Sequence, residues 1–185
     1  MMDKLVIVEA STAHLKALKW INKATSKDEA RPSLTCVFVM EHELFASNGW
    51  QLHTAILGEN PFPVGAWKIR NIQRDYVVLE RREATMPEYQ KILADMKHSG
   101  IKIENKDGEK FQVDFGVDPA KMMTALDFAS HQRGVTVTIG QGAVVISGCM
   151  VAKDSSEIPV TAMLMQMFRD NGTAHIIPVK KAEVS

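Results

Sequence analysis

The chain has only two cysteines in 185 residues, no excess charge of either sign, and no apolar run near the ~20 residues that a membrane-crossing helix requires. Cys36 and Cys149 lie far apart in apolar, strand-like runs, which suits free buried thiols better than a disulfide framework or a metal site. A reducing cytoplasm is the expected location. Lysine plus arginine and aspartate plus glutamate number 22 each, so any contact with nucleic acid has to come from a local patch. Neutrality also weakens repulsion between copies and permits a homo-oligomer. The opening "MMDKLVIVEAS" has too short an apolar core for a signal peptide, and no membrane association is expected.

Catalytic constellations are also missing. An enzyme would need a nucleophile with its base, a carboxylate pair or a metal cluster. His42 stands between Glu41 and Glu43, but neighbours on an extended chain point to opposite faces, so "MEHEL" suits a solvated hairpin. His14, His53, His98, His131 and His175 show no ligand spacing, and the "GQG" at Gly140 to Gly142 joins two apolar strands with no helix after it to cradle a phosphate. No enzyme activity, cofactor or metal is expected.

What the sequence does contain is alternation and turns. "KLVIVEA" predicts a strand, and "STAHLKALKWINKATSK" predicts a helix capped by Ser11 or Thr12. "SLTCVFVME" and "LFASNGWQLHTAI" predict strands around a hairpin at His42-Glu43; "GAWKIRNI" and "DYVVLERRE" predict two more. In the second of these runs, Ser47-Asn48-Gly49 interrupts the alternation with turn chemistry. "TMPEYQKILADMKHSG" predicts a short connecting helix, and "NKDGEK" a polar turn. The pattern then restarts: "EKFQVDFGV" is a strand, Asp118-Pro119 opens the helix "AKMMTALDFASHQ", which Gly134 stops, and "VTVTIG", "AVVISGCMVA", "PVTAMLMQMF" and "TAHIIPVKK" are strands. Met163, Met165 and Met167 fall on one side of their strand, as core packing or a greasy contact surface would require. The expected fold is α+β: one domain over 1–185, made of two strand-helix-strands half-units at about 4–83 and 109–181, with 84–108 connecting them and the helices on one side of antiparallel sheet.

The first helix carries the strongest local signal. At 100° per residue, Leu15, Leu18, Ile21, Ala17 and Ala24 occupy one side, while Lys16, Lys19, Lys23 and Lys27 occupy the other, with no acidic residue between Ala10 and Lys27. Like charges at those spacings repel by a few tenths of a kcal/mol per pair, and an anionic partner such as a phosphate backbone would relieve the repulsion. A solvated helix face is the alternative. The second helix does not repeat the stripe, since its outer side carries Lys121, Thr124, Asp127, Phe128 and His131.

In this order, the pieces resemble the bacterial DNA sliding clamp family, the beta subunit of DNA polymerase III. "LKALKWINKATSKDEARPSLTCVFVMEHELFASNGWQL" resembles that family's opening helix, its arginine-proline restart, its strand pair and its "ATDGxRL" corner, here Ala46 to Leu52. "MPEYQKIL", Met86 to Leu93, resembles its "FPDYxxxxP" segment; "DFGVDPAKMMTALDFAS" and "AHIIPVKK" resemble the start and end of its final half-domain. Asn48 stands where the pattern has aspartate, Gln51 where it has arginine, and Val179 and Lys180 where it has methionine and arginine.

The resemblance implies a non-enzymatic, DNA-associated platform for replication or repair. It implies that Lys16, Lys19, Lys23 and Lys27 face double-stranded DNA. It also implies that short peptide motifs of replication or repair proteins dock against Gly49, Trp50, Gln51 and Leu52 together with Ile176, Ile177, Pro178 and Val179. Family members carry three such domains per chain and close six-domain rings, so one domain per chain implies six copies for a ring or no ring at all. Packing of Trp50 and Leu52 into the domain core is the competing expectation. An adaptor or clamp decoy that keeps the fold without encircling DNA is the competing function.

Overall fold

A computed structural model describes residues 5–90, 101–104, 111–114, 119–127, 136–140, 143–151, 157–165 and 175–178. The alternation in "KLVIVEA" gives strand β1 (Leu5–Glu9), and Ser11 then starts helix α1 (Thr12–Asn22), its Oγ accepting the His14 backbone N–H at 3.3 Å. Ala13, Leu15, Ala17, Leu18, Trp20 and Ile21 form the buried side of α1. Lys23 is the C-cap, so Lys27 lies beyond the helix and is not part of the helical stripe.

Pro32 opens a 3-10 turn (Pro32–Thr35), in which the Thr35 hydroxyl donates to the Pro32 carbonyl at 2.9 Å. That local bond competes with extended chain, so the strand expected from Ser33 begins only at β2 (Val37–Val39). The run Leu44 to Ile56 is two strands, β3 (Glu43–Ser47) and β4 (Gln51–Ile56), folded back at Asn48 to Trp50. Then follow β5 (Gly65–Ile72), β6 (Tyr76–Arg82), β7 (Ile101–Glu104), β8 (Phe111–Asp114), α2 (Pro119–Leu126), β9 (Thr136–Gly140), β10 (Ala143–Val151), β11 (Glu157–Met165) and β12 (His175–Pro178). Strand β7 falls inside the segment 84–108 expected to be only a connection. Its four residues are too few for alternation to show. The continuation of the connecting helix past Gln90, the turn around Asp107, Asp118, and the stretch from Phe128 to Gly134 lie outside the described residues.

Among the described residues, ten strands form one sheet in the order β1-β6-β5-β2-β3-β4-β11-β10-β9-β7, and β12 pairs with β8 in a separate ribbon. Strands from the first part of the chain are contiguous, those from the second part are contiguous, and β4 and β11 join them, antiparallel, from Gln51↔Leu164 to Ala55↔Val160. Helices α1 and α2 lie on one face. Leu44, Ala46, Ala55, Ile146, Ala162 and Leu164 share a core with Leu18 and Ile21 of α1 and Ala125 of α2. The other face is covered too, by Cys36, Phe38, Phe45, Leu52, Val145 and Met163 with Tyr89 of the segment after β6. Phe45 stacks with Phe38 (centroids 5.0 Å apart) and meets Tyr89 at 4.1 Å. Met163 is thus core, while the side chains of Met165 and Met167 lie outside the described residues.

The helix layer is fastened to β4 by buried polar groups. His53 faces Ala46 on one neighbouring strand and Ala162 on the other, and these small residues leave room for the Trp20 ring to stack on the imidazole at 4.1 Å and 12°. His53 Nδ1 donates to the Trp20 carbonyl at 3.0 Å, and the Trp20 indole N–H donates to the Thr124 carbonyl of α2 at 3.2 Å. Burial pushes the His53 pKa down to about 4, partly opposed by the Trp20 carbonyl.

Because the folded-state value lies below the ordinary 6.5, the unfolded chain takes up this proton first, and stability falls as pH drops from about 6.5 toward 4. The loss is on the order of 3 kcal/mol. Urea unfolding across that window should show it, and His53→Phe, less stable at pH 7 for want of the Trp20 bond, should lack that part of the slope. Leu18→Ala, emptying a side chain that is 1% exposed, should cost about 2–5 kcal/mol in the same assay.

Candidate functional site

The lysines of α1 differ in what surrounds them. Lys16, Lys19 and Lys23 are all exposed on the side away from the sheet. Lys19 and Lys23 sit near the carbonyl end of the helix, where its dipole favours cations, but Lys16 in mid-helix gains little from it. Lys23 is ion-paired with Asp127, just past the end of α2. Among the described residues, Lys16, Lys19 and Lys27 have no carboxylate partner.

Lys16 and Lys19 are joined by a residue that the sequence pattern did not single out. The turn between β5 and β6 is closed by Gln73 N–H to the Tyr76 carbonyl at 2.8 Å and tied to the start of α1 by Ala10 N–H to the Asp75 carbonyl at 3.1 Å. This brings Arg74 beside the helix. Lys16, Lys19 and Arg74 line one open cleft of about 340 Å³, with Thr12 and Gln73 as polar lining and Leu15 and Ile72 as apolar lining. Among the described residues, no carboxylate lines it. Arg74 is far from the lysines in sequence, and the only signal that could have found it is the long-range pairing of β1 with β6.

The corner after β3 is tightly built. Asn48 Oδ1 accepts the backbone N–H groups of Trp50 at 2.9 Å and Gln51 at 3.0 Å, so asparagine supplies the acceptor that an aspartate would. Ser47 Oγ accepts the Gly49 N–H at 3.1 Å and donates to the Gln51 carbonyl at 2.9 Å, and Gly49 holds φ at 91°, a conformation that L side chains rarely adopt.

The structure divides the four corner residues between surface and interior. Trp50 is 55% exposed, with the Lys121 ammonium of α2 5.4 Å from its ring centroid. Gln51 is buried, and its side-chain N–H donates to the Lys23 carbonyl at 2.9 Å, closing the end of α1. Leu52 is buried in the core on the opposite face. The core-packing expectation therefore describes Leu52 but not Trp50. Gln51 and Leu52 offer no surface for a peptide, because each is occupied inside the domain.

Ile176, Ile177 and Pro178 lie on β12, whose backbone pairs with β8 opposite Val113, Gln112 and Phe111. Among the described residues β12 does not pair with the strands of the corner, and Val179 lies outside them. His42 lies on an exposed turn beside Glu41, 3.7 Å away. Among the described residues there is no cluster of three or more His, Cys, Asp or Glu that could hold a metal ion, and no helix long and apolar enough to cross a membrane. Cys36 is a buried thiol whose pKa burial raises, and Cys149 is half-buried with its pKa raised by burial as well.

No protein-family model matches the chain, and no curated protein matches it. Solved structures do. The beta clamp of Helicobacter pylori bound to a DNA ligase peptide matches with a TM-score of 0.53 at 12% identity, covering 91% of this chain and 67% of that one. The same organism's clamp in complex with 5-chloroisatin (TM-score 0.49, 11% identity, 91% and 67%) and the beta chain of DNA polymerase III from Streptococcus pneumoniae TIGR4 (0.47, 16%, 91% and 66%) also match. The chain spans about two thirds of the length of each of these proteins. At such low identity the likeness is one of fold, and in fold this chain is similar to the bacterial beta sliding clamps.

Proposed function

We propose that the chain is a non-enzymatic, clamp-like platform associated with double-stranded DNA in replication or repair, with α1 against the phosphate backbone. The observation that carries this is Lys16 and Lys19, exposed on the side of α1 away from the sheet and without a carboxylate partner among the described residues, in a fold similar to a beta clamp. Lys23 contributes less, since Asp127 offsets its charge, and Lys27 contributes from the chain beyond the helix. In this account residues 1–185 are one clamp-like domain of two half-units, acting in the cytoplasm.

Encirclement would come from a homo-oligomer joined at sheet edges. Among the described residues the large sheet ends at β1 and β7, and Leu5 and Ile7 on β1 are 60% and 68% exposed.

A second reading rests on Trp50. A large exposed aromatic ring on a rigid corner is the type of side chain that anchors a partner. A solved beta clamp of similar fold was bound to a DNA ligase peptide. Here Gly49 and Trp50, with Ile176, Ile177, Pro178 and Val179 of the closing strand, would receive a short peptide motif of a replication or repair protein, while Gln51 and Leu52 brace the corner from behind. A chain that used only this surface would be an adaptor or clamp decoy.

Reversing Lys16, Lys19 and Lys23 to glutamate should abolish duplex binding in an anisotropy titration and leave the circular dichroism spectrum unchanged. The double variant Lys16→Glu/Lys19→Glu, which keeps the Asp127 pair, should do nearly the same. Duplex affinity unaltered in both would take α1 out of the account, and loss of peptide binding in Trp50→Ala alone would leave the adaptor reading.

A further inference from the structure

We infer that the cleft between α1 and the β5–β6 turn is a seat for a backbone phosphodiester, and that Arg74 is its third cationic ligand. The inference rests on the DNA-platform reading and names the group that its first helix holds. Two elements far apart in sequence deliver Lys16, Lys19 and Arg74 to one concave surface of about 340 Å³. Lys16 and Lys19, three residues apart on one helix, already repel each other, and Arg74 adds to that repulsion. Asp75 follows Arg74 in the turn, but its carbonyl is what ties the turn to Ala10, and it is not among the residues lining the cleft. Concentrated positive charge of this kind is relieved by an anion.

The rest of the lining narrows the class of anion. Thr12 and Gln73 can hydrogen-bond to phosphate or sugar oxygens, while Leu15 and Ile72 give apolar surface suited to a sugar ring and unsuited to a bare inorganic ion. The cleft is open, so a continuous strand can pass through it. Arg74 has a planar fork that fits two phosphate oxygens, and the turn that carries it is held at both the Gln73–Tyr76 and the Ala10–Asp75 bonds. A cation on an anchored turn fixes where along the backbone the helix sits, which flexible lysines alone do less well.

The test is duplex affinity over a salt series by fluorescence anisotropy, with the intact chain, Arg74→Gln and Arg74→Lys. Loss of one phosphate contact should lower the slope of log K against log salt by about 0.9 in Arg74→Gln, with affinity weakened alike for duplexes of different sequence, while Arg74→Lys keeps a slope near that of the parent. Arg74 is exposed, so thermal unfolding of the variants should match the parent.

A parent that binds duplex and an Arg74→Gln variant with an unchanged slope would overturn the inference and leave the DNA reading standing. A parent that does not bind duplex would overturn both. Pyrophosphate displacing the duplex at equal phosphate concentration would show an isolated anion site and would also overturn it.

Discussion

The arrangement depends on buried polar side chains in one central strand. β4 joins the two groups of strands, yet carries Gln51 and His53 at 5% and 0% exposure, where unpaired polar atoms are costly. Both donate to carbonyls at the C-terminal end of α1, Gln51 to Lys23 and His53 to Trp20, whose carbonyl also accepts the Lys23 N–H at 3.1 Å. One polar atom of each side chain, Gln51 Nε2 and His53 Nδ1, thereby ties the sheet to the end of the helix. Trp20 then reaches α2 through its indole N–H, so one strand, two helices and the sheet junction are fixed together. With its apolar side and its end held, α1 has only one side left to present, and that side carries Lys16 and Lys19.

The cationic cleft follows from the same economy. Pairing of β1 with β6 brings the β5–β6 turn back to the start of α1, and the bond from Ala10 to Asp75 fixes it there. The charge that gathers around the cleft therefore comes from the topology of the first six strands as much as from the lysine periodicity. Elsewhere the fold pairs its buried charge: Glu80, 1% exposed, lies between Arg70 and Arg82, the latter at 2.7 Å. Cations without such partners are conspicuous by contrast.

Much of this was legible in the sequence, for identifiable reasons. The apolar side of α1, its Ser11 cap and the alternation in β5, β6, β10 and β11 are local signals, and local signals set those elements. The Ser47-Asn48-Gly49 turn was legible from its chemistry as a corner, and the structure makes it the tip of the β3–β4 hairpin. Other features depend on distant partners. The resemblance puts Gln51 in a peptide groove, and only the Lys23 carbonyl beside it shows its internal bond; Arg74 gives no signal until β1 pairs with β6, and β7 is too short to announce itself. The likeness to a clamp was carried by the order of loose motifs, and the substitutions at Asn48 and Gln51 that weakened it have structural explanations: each supplies a hydrogen bond that completes the corner or the helix end.

Whether the lysine face meets DNA within a closed assembly is the central question, and the solution mass of the purified chain by light scattering, with and without a short duplex at low and moderate salt, addresses it most directly. The account predicts an oligomer large enough to close a ring, or a rise in mass with duplex that moderate salt reverses. A monomer whose mass is indifferent to duplex at both salt concentrations would contradict it.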